Sequence, residues 1–340
     1  MIPIRAPMPT PVPPLHRRQP ALDVLKGIGI VAVVVGHISF NRALVAQIFM
    51  FHMPLFFLVG GALHDPATPQ RAYLLAKARS LLLPYGCFLL ILWPLELLLA
   101  VPDHSAGGRW TWTLLGAPLL FGGQRLTGFA SVFWFVTCYF LTQQLVHLLL
   151  RRSRLPVCAA VGGLMLVLAW LLPELALPWG AQVVLVSAPL YLIGYAARQV
   201  DLARWLPVSV LLTGAALLLN VAGVANTFDL KAGQFGVPVV TLASALAVVA
   251  VLAVLAARIH ASVAGRVLAA LGGASMTIMF LHQLVQLTMA KQLGVMAAAP
   301  RVLAALLLCY LAHVLISSSP LASRLLLGRR PRAPATGVAP

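Results

Sequence analysis

The chain has 340 residues, 61% of them hydrophobic and only 9% charged, with 24 lysines and arginines against seven acids and a mean hydropathy of +0.96. A soluble fold of that composition would expose apolar surface it cannot bury, and so apolar a chain suits neither disorder nor a fibrous repeat. The basic residues are scattered over short segments without aromatic interleaving, which leaves no nucleic-acid surface.

Residues 1–20 are proline-rich and read as a disordered cytoplasmic leader. The apolar run behind it has the basic approach of a signal peptide. No small-residue cleavage site separates it from the next run, so it reads as a retained first span. Runs of about 20 apolar residues then recur to the end of the chain, the pattern of an all-α polytopic membrane protein. They predict about ten spans, at 22–40, 44–63, 81–100, 128–149, 156–172, 180–197, 206–224, 237–257, 266–289 and 302–320. An eleventh follows if 110–122, short and carrying Pro118 beside a glycine pair, crosses rather than re-enters or lies at the interface. The membrane unit is thus 21–320, followed by a basic cytoplasmic tail, 321–340.

With the N-terminus inside, 18 of the 24 basic residues fall on inner segments. That bias predicts a multi-pass protein of the cell inner membrane with both termini cytoplasmic. The opposite face receives segment 101–127, with Asp103, His104, Arg109 and Trp110, and the shorter loop 225–235. Both are placed to shape a substrate entrance. Cys87, Cys138, Cys158 and Cys309 lack CxxC spacing and read as small buried apolar residues.

Ionisable groups inside spans are costly unless paired or hydrated, so each needs a reason. Lys26 and His37 lie on the first span, His52 on the second, Glu96 on the third and His282 on the ninth, with His147 and His313 nearer the ends of their runs. Eleven positions put Lys26 and His37 about 16 Å apart on nearly one helix face. A snorkelling lysine and a hydrogen-bonded histidine would look the same. Asp23, three residues before Lys26, is placed to pair with it. His52 belongs at the membrane level of His37, where two imidazoles can relay a proton, hold a hydroxyl substrate or bond each other. Without a third ligand at motif spacing they predict no metal site.

Lys77 and Arg79 precede the third span and, with Lys26, put three cations at the inner mouth, as ordinary inside-loop positives also would. Glu96 reads either as a hydrated outer-end carboxylate or as one that binds an acceptor or orients a histidine. Trp134 reads as a packing residue or a sugar-stacking one. Ser275 shares a face with His282 but has no nucleophile-elbow context, and Gly272 and Gly273 beside it suit close helix packing.

The stretches LDVLKGIGIVAVVVGHIS, FMFHMPLFFLVGG, KARSLLLPY, SVFWFVTCYF and LGGASMTIMFLHQ occur in that order across residues 20–320. Together they resemble the membrane acyltransferase-3 family, especially its fucose 4-O-acetylase-type branch of sugar O-acetyltransferases. The resemblance implies a ten- or eleven-span enzyme in the bilayer that takes an acyl group, here acetyl, from cytoplasmic acyl-CoA. The acceptor would be a hydroxyl of a sugar, glycan or other envelope molecule. Acyl-CoA is then a donor substrate, and no cofactor is held permanently.

The family's arginine, ten residues and histidine align with Lys26 and His37. The charge is kept there, but the bidentate fork of arginine is lost. Its basic pair before the third span aligns with Lys77 and Arg79, and its late-helix histidine with His282. Acyl transfer to a hydroxyl needs a general base and a site for an anionic donor. The expected base is His37, aided by His52 or His282. Lys26, Lys77 and Arg79 would hold the donor phosphates, and Glu96 and Trp134 would meet the acceptor. The pantetheine arm of CoA is about as long as the Lys26–His37 separation, and the acceptor would approach from the opposite face. A proton-coupled small-solute or glycan transporter is the alternative. The absence of paired repeats and the scarcity of intramembrane acids count against it. Neither the acceptor's identity nor the oligomeric state is written in the sequence.

Overall fold

In hydrocarbon a backbone must satisfy its own hydrogen bonds, and the apolar runs accordingly fold as helices. The computed structural model describes residues 19–99, 121–172, 175–224 and 226–329. The expected leader up to residue 18 lies outside the described residues, as do Asp103, His104, Arg109 and Trp110, most of the candidate span 110–122 and the tail from residue 330. The helices are α1 (Pro20–Ile38), α2 (Arg42–Phe49), α3 (His52–Ala62), α4 (Gln70–Lys77) and α5 (Leu83–Leu99), followed by α6 (Trp134–Arg152), α7 (Leu155–Leu171), α8 (Val184–Ala197) and α9 (Leu206–Val221). The last five are α10 (Val240–Ile259), α11 (Val263–Gly273), α12 (Ser275–Lys291), α13 (Ala298–Ser318) and α14 (Pro320–Leu326). A widened turn over Ala78–Leu82 joins α4 to α5.

The molecule is an all-α polytopic membrane protein, but the expectation of ten or eleven spans is corrected. Among the described residues seven helical segments are long and apolar enough to cross a membrane, or eight if α11 and α12 together form one. The predicted span 266–289 is bent by 80° between those two helices. Two other predicted spans, 156–172 and 206–224, correspond to α7 and α9, which are helices of 17 and 16 residues. At 1.5 Å per residue they rise only about 24–26 Å, short of the roughly 30 Å hydrocarbon core. Hydropathy scores apolar composition over a window whether or not the helix inside it is straight or long enough. That is why the sequence reads more spans than the helices supply.

The core is built around α1 and α3. Helix α1 packs most extensively on α11 and also meets α3, α10, α12 and α13. The close approach to α11 depends on Gly27 and Gly272: a Cβ on the first would run into the Leu268 carbonyl, and on the second into that of Asp23. Gly273 has open space around it. In the same way α3 lies against α8 through Gly61 and Gly194, whose missing Cβ atoms would meet the Tyr191 and Leu58 carbonyls. All residues of α3 from His52 to Gly61 are buried, as befits a helix that is apolar all round. Leu303, Leu307, Leu311 and Leu315 of α13 are exposed, a stripe suited to lipid. Pro54 lies in the first turn of α3, where its missing N–H costs little.

Candidate functional site

His37 stands one residue before the end of α1, and His52 opens α3 after the short break at Met50–Phe51. The two helices bring both imidazoles to the wall of one cavity of about 140 Å³. A single water needs roughly 10–15 Å³ of such space, so the cavity has room for several waters or for a short acyl group and a hydroxyl. Apolar side chains, among them Val33, Met53, Phe135 and Met279, make up most of the wall. Trp134, the first residue of α6, lines it too. His52 is 3% exposed, whereas His37 keeps open surface although it lies within the helix bundle.

The imidazoles are held in defined tautomers. His52 Nδ1 lies 3.0 Å from the Ile48 carbonyl, and His282 Nδ1 lies 2.9 Å from that of Ile278. A carbonyl only accepts, so each Nδ1 carries the proton and each neutral ring presents a basic Nε2. His282 is completely buried, and its Nε2 has no hydrogen-bond partner. The ring centres of His282 and His37 are 5.4 Å apart, and Phe49 meets His37 edge-on at 6.4 Å. Phe49 also lies 4.7 Å from the His52 ring. His37 therefore lies beside His282 and shares the cavity wall with His52, with Phe49 against both His37 and His52.

The loop 226–237 closes the cavity. Phe228 and Leu230 are buried, and the Phe228 N–H donates to the Phe49 carbonyl at 3.1 Å. Asp229 Oδ1 accepts the Ala232 N–H at 3.0 Å and so tightens the turn that presents Lys231. Lys231 lines the cavity, and its Nζ donates to the Leu126 and Ser131 carbonyls at 2.9 and 2.8 Å. Burial holds its ammonium below the ordinary lysine pKa, with Asp229 opposing the shift. Sequence reasoning singled out this loop as an entrance but not Lys231. Its only signal was a lysine in a short loop on the face where basic residues are scarce.

The three expected donor-binding cations have separate surroundings. Lys26 pairs with Asp23 at 2.6 Å, both about a quarter exposed, as their spacing predicts. Lys77 lies 5.2 Å from the centre of the Tyr73 ring and is among the charged neighbours of His64. Arg79 is exposed, and its backbone carbonyl abuts Gly328. Glu96 is not a wall residue of the cavity. Its Oε2 accepts the Phe129 N–H at 3.0 Å, and its carboxylate fills the space that a side chain on Gly128, at φ 54°, would need. There it fixes the turn leading into α6.

A second buried polar cluster, which the sequence reading did not assemble, joins the loop after α3 to α4, α6 and α8. His147 Nε2 donates to the Thr68 carbonyl at 3.0 Å, which leaves its Nδ1 to accept from His64 Nε2 at 3.2 Å. His64 Nδ1 then accepts from the Tyr191 hydroxyl at 3.1 Å or that of Tyr73 at 3.3 Å. Tyr73 stacks on His147 at 3.8 Å, Arg198 donates to the His64 carbonyl, and Arg151 donates to the Pro66 carbonyl two residues on. Burial, reinforced by His147 and Lys77, pushes His64 down to about 3. Among the described residues no group of three or more metal-ligating side chains gathers.

Comparison with known proteins adds three findings. A family model described as an acyltransferase domain, that of the acyltransferase-3 family, matches residues 19–318. The nodulation protein NolL of Mesorhizobium japonicum is 27% identical over 158 residues, a stretch covering 42% of this chain and 39% of that protein. The chain thus matches well under half the length of that relative. No solved structure matches the chain.

Proposed function

Since the chain belongs to the membrane acyltransferase-3 family and is an acyltransferase, we propose that it moves a short acyl group, acetyl, from acyl-CoA to a hydroxyl of a sugar or glycan at the bacterial inner membrane. The observation that carries this reading is the single small cavity shared by His37, His52 and Lys231. Its size suits an acetyl group, and its polar groups are those that ester formation needs.

In this reading the acceptor hydroxyl oxygen attacks the thioester carbonyl carbon while a neutral His37 takes the hydroxyl proton. The tetrahedral oxyanion that results faces the Lys231 ammonium across an apolar wall, where a fixed positive charge is worth far more than in water. Collapse breaks the carbon–sulfur bond, and the leaving thiolate takes the proton back from the imidazolium of His37. His282, buried against His37 with its Nε2 unpartnered, stabilises and orients that ring. Trp134 gives the acceptor an aromatic face in the same wall. The donor's phosphates are held at the Asp23 end of α1, by Lys26 and by Lys77 and Arg79 across the mouth, with both chain termini on that cytoplasmic side. Glu96 acts on the acceptor side only indirectly, through the turn it fixes before Trp134.

The test is transfer of label from radiolabelled acetyl-CoA by the purified protein in nanodiscs, compared with His37→Ala. Loss of a general base lowers such reactions by about 10²–10⁴-fold. The expected result is a fall of that size in CoA release, with acetyl-CoA still bound. Full activity in the variant would remove His37 from the mechanism, and translocation of a solute without CoA release would point to a transporter.

A further inference from the structure

Arg301, in the first turn of α13, is 5% exposed, yet among the described residues its charge has no carboxylate partner. Among the described residues the recorded ion pair is Asp23–Lys26, at the other end of α1. One guanidinium nitrogen, Nη2, donates to Gln286 Oε1, and Gln286 Nε2 donates in turn to Gln283 Oε1 at 2.6 Å. The other two, Nε and Nη1, are buried without a hydrogen-bond partner among the described residues. The guanidinium lies 5.8 Å from the ring of Phe40, three residues after His37. On the neighbouring helix Gln286 follows His282 by four residues, one turn or about 6 Å. A seam of polar groups therefore runs along α12 from the His37–His282 pair to Arg301.

A helix–helix hydrogen bond alone does not explain this arrangement. A neutral amide at position 301 would hold Gln286 without burying a charge, whereas a buried guanidinium with idle donors is costly until an acceptor reaches it. Arginine is suited to carboxylate and phosphate oxygens, which accept from several of its N–H groups at once.

We propose that Arg301 anchors an oxyanion of the acyl acceptor, so that the acceptor is an anionic hydroxyl compound whose carboxylate or phosphate lies at the Arg301 end of this seam while its hydroxyl is presented to His37. The proposal rests on the acyltransferase reading above and deepens it by naming the substrate class. The seam gives such a molecule two fixed points: charge at Arg301 and a reacting hydroxyl at His37. A neutral sugar has only the second.

The experiment uses the full chain in phosphatidylcholine nanodiscs, with three soluble probes: glucose, glucuronate and glucose 6-phosphate. Thermal shift reads binding, and release of CoA from labelled acetyl-CoA reads transfer. The wild type is expected to be stabilised by one or both anionic sugars, and to transfer to them at least tenfold faster than to glucose, with the advantage shrinking as salt rises. Arg301→Gln should lose both the shift and the tenfold advantage, and Arg301→Lys should regain part of each. Equal response to all three sugars in wild type and Arg301→Gln would overturn the proposal. So would stabilisation by phosphatidylglycerol nanodiscs alone that Arg301→Gln abolishes, because the oxyanion would then be a lipid headgroup. Should the wild type release no CoA with any sugar, the acyl-CoA reading fails, while the thermal-shift comparison still decides the role of Arg301.

Discussion

At the scale of single residues, the proposed chemistry depends on a cation fixed where negative charge would develop. Lys231 spends two of its three N–H donors on the Leu126 and Ser131 carbonyls and lines the cavity of His37 and His52. A charged Lys231 is the active form if it faces the oxyanion. Burial lowers its pKa from the ordinary lysine value of 10.5, with Asp229 opposing. Its proton is therefore lost below the ordinary lysine pKa, and transfer should fall as pH rises through that lowered pKa. Lys231→Arg, which holds its proton throughout, should carry the rate to higher pH. Lys231→Met should lose about 10²–10³-fold in kcat, the usual cost of an oxyanion donor. An alkaline limb that does not move in Lys231→Arg would reduce Lys231 to a staple for the loop. Neither this lysine nor Arg301 was legible as a site residue in the sequence, because counting positives by loop treats both as scatter on the wrong face. What distinguishes them is burial and the atoms they reach, and both depend on tertiary packing. His37 and His52, which line the cavity, stood out in the sequence because an imidazole inside an apolar run has few other reasons to be there.

At the scale of elements, the helices were legible and their interruptions were not. The run 266–289 is apolar on both sides of Ala274, so hydropathy sees one span. The glycine pair Gly272–Gly273 was its only mark of a break, and it was read as close packing. Gly272 does pack closely, against Asp23 of α1, and the chain turns by 80° directly after it. Likewise the loop after α3 contains His64, which no hydropathy window singles out, yet it ties α3 to α6 and α8 through His147 and Tyr191. This staple makes stability depend on pH in a defined direction. The unfolded chain protonates His64 near 6.5, and the folded one only near 3. Below pH 6.5 the unfolded state thus binds the extra proton, and stability present at neutral pH is lost progressively toward pH 3. The slope is at most about 1.4 kcal/mol per pH unit for one group. Thermal denaturation at pH 7.5 and pH 5 should show the wild type losing up to about 2 kcal/mol more than His64→Gln. Parallel losses in the two proteins would mean that the cluster is open to protons when folded.

At the scale of the whole molecule, the bend between α11 and α12 determines how the site is reached. Seven spans would put the two termini on opposite sides of the membrane, whereas counting the bent pair as an eighth would put them on the same side. The donor geometry proposed here needs the second case. If α1 enters from the cytoplasm, the Asp23 end lies inside and His37 toward the far face. If α11 and α12 together cross, α12 climbs from the inner side past His282 to Gln286, and Arg301 meets it near the far face. Donor and acceptor then approach His37 from opposite sides. If the pair only dips in and returns, α13 starts from the inner side, and Arg301 opens on the same compartment as the donor. Reporter fusions that fluoresce only in the cytoplasm, placed at each terminus, separate the two cases. Both should fluoresce. A dark C-terminal fusion beside a bright N-terminal one would make α11 and α12 a re-entrant pair, and the anionic acceptor would then have to be a cytoplasmic molecule.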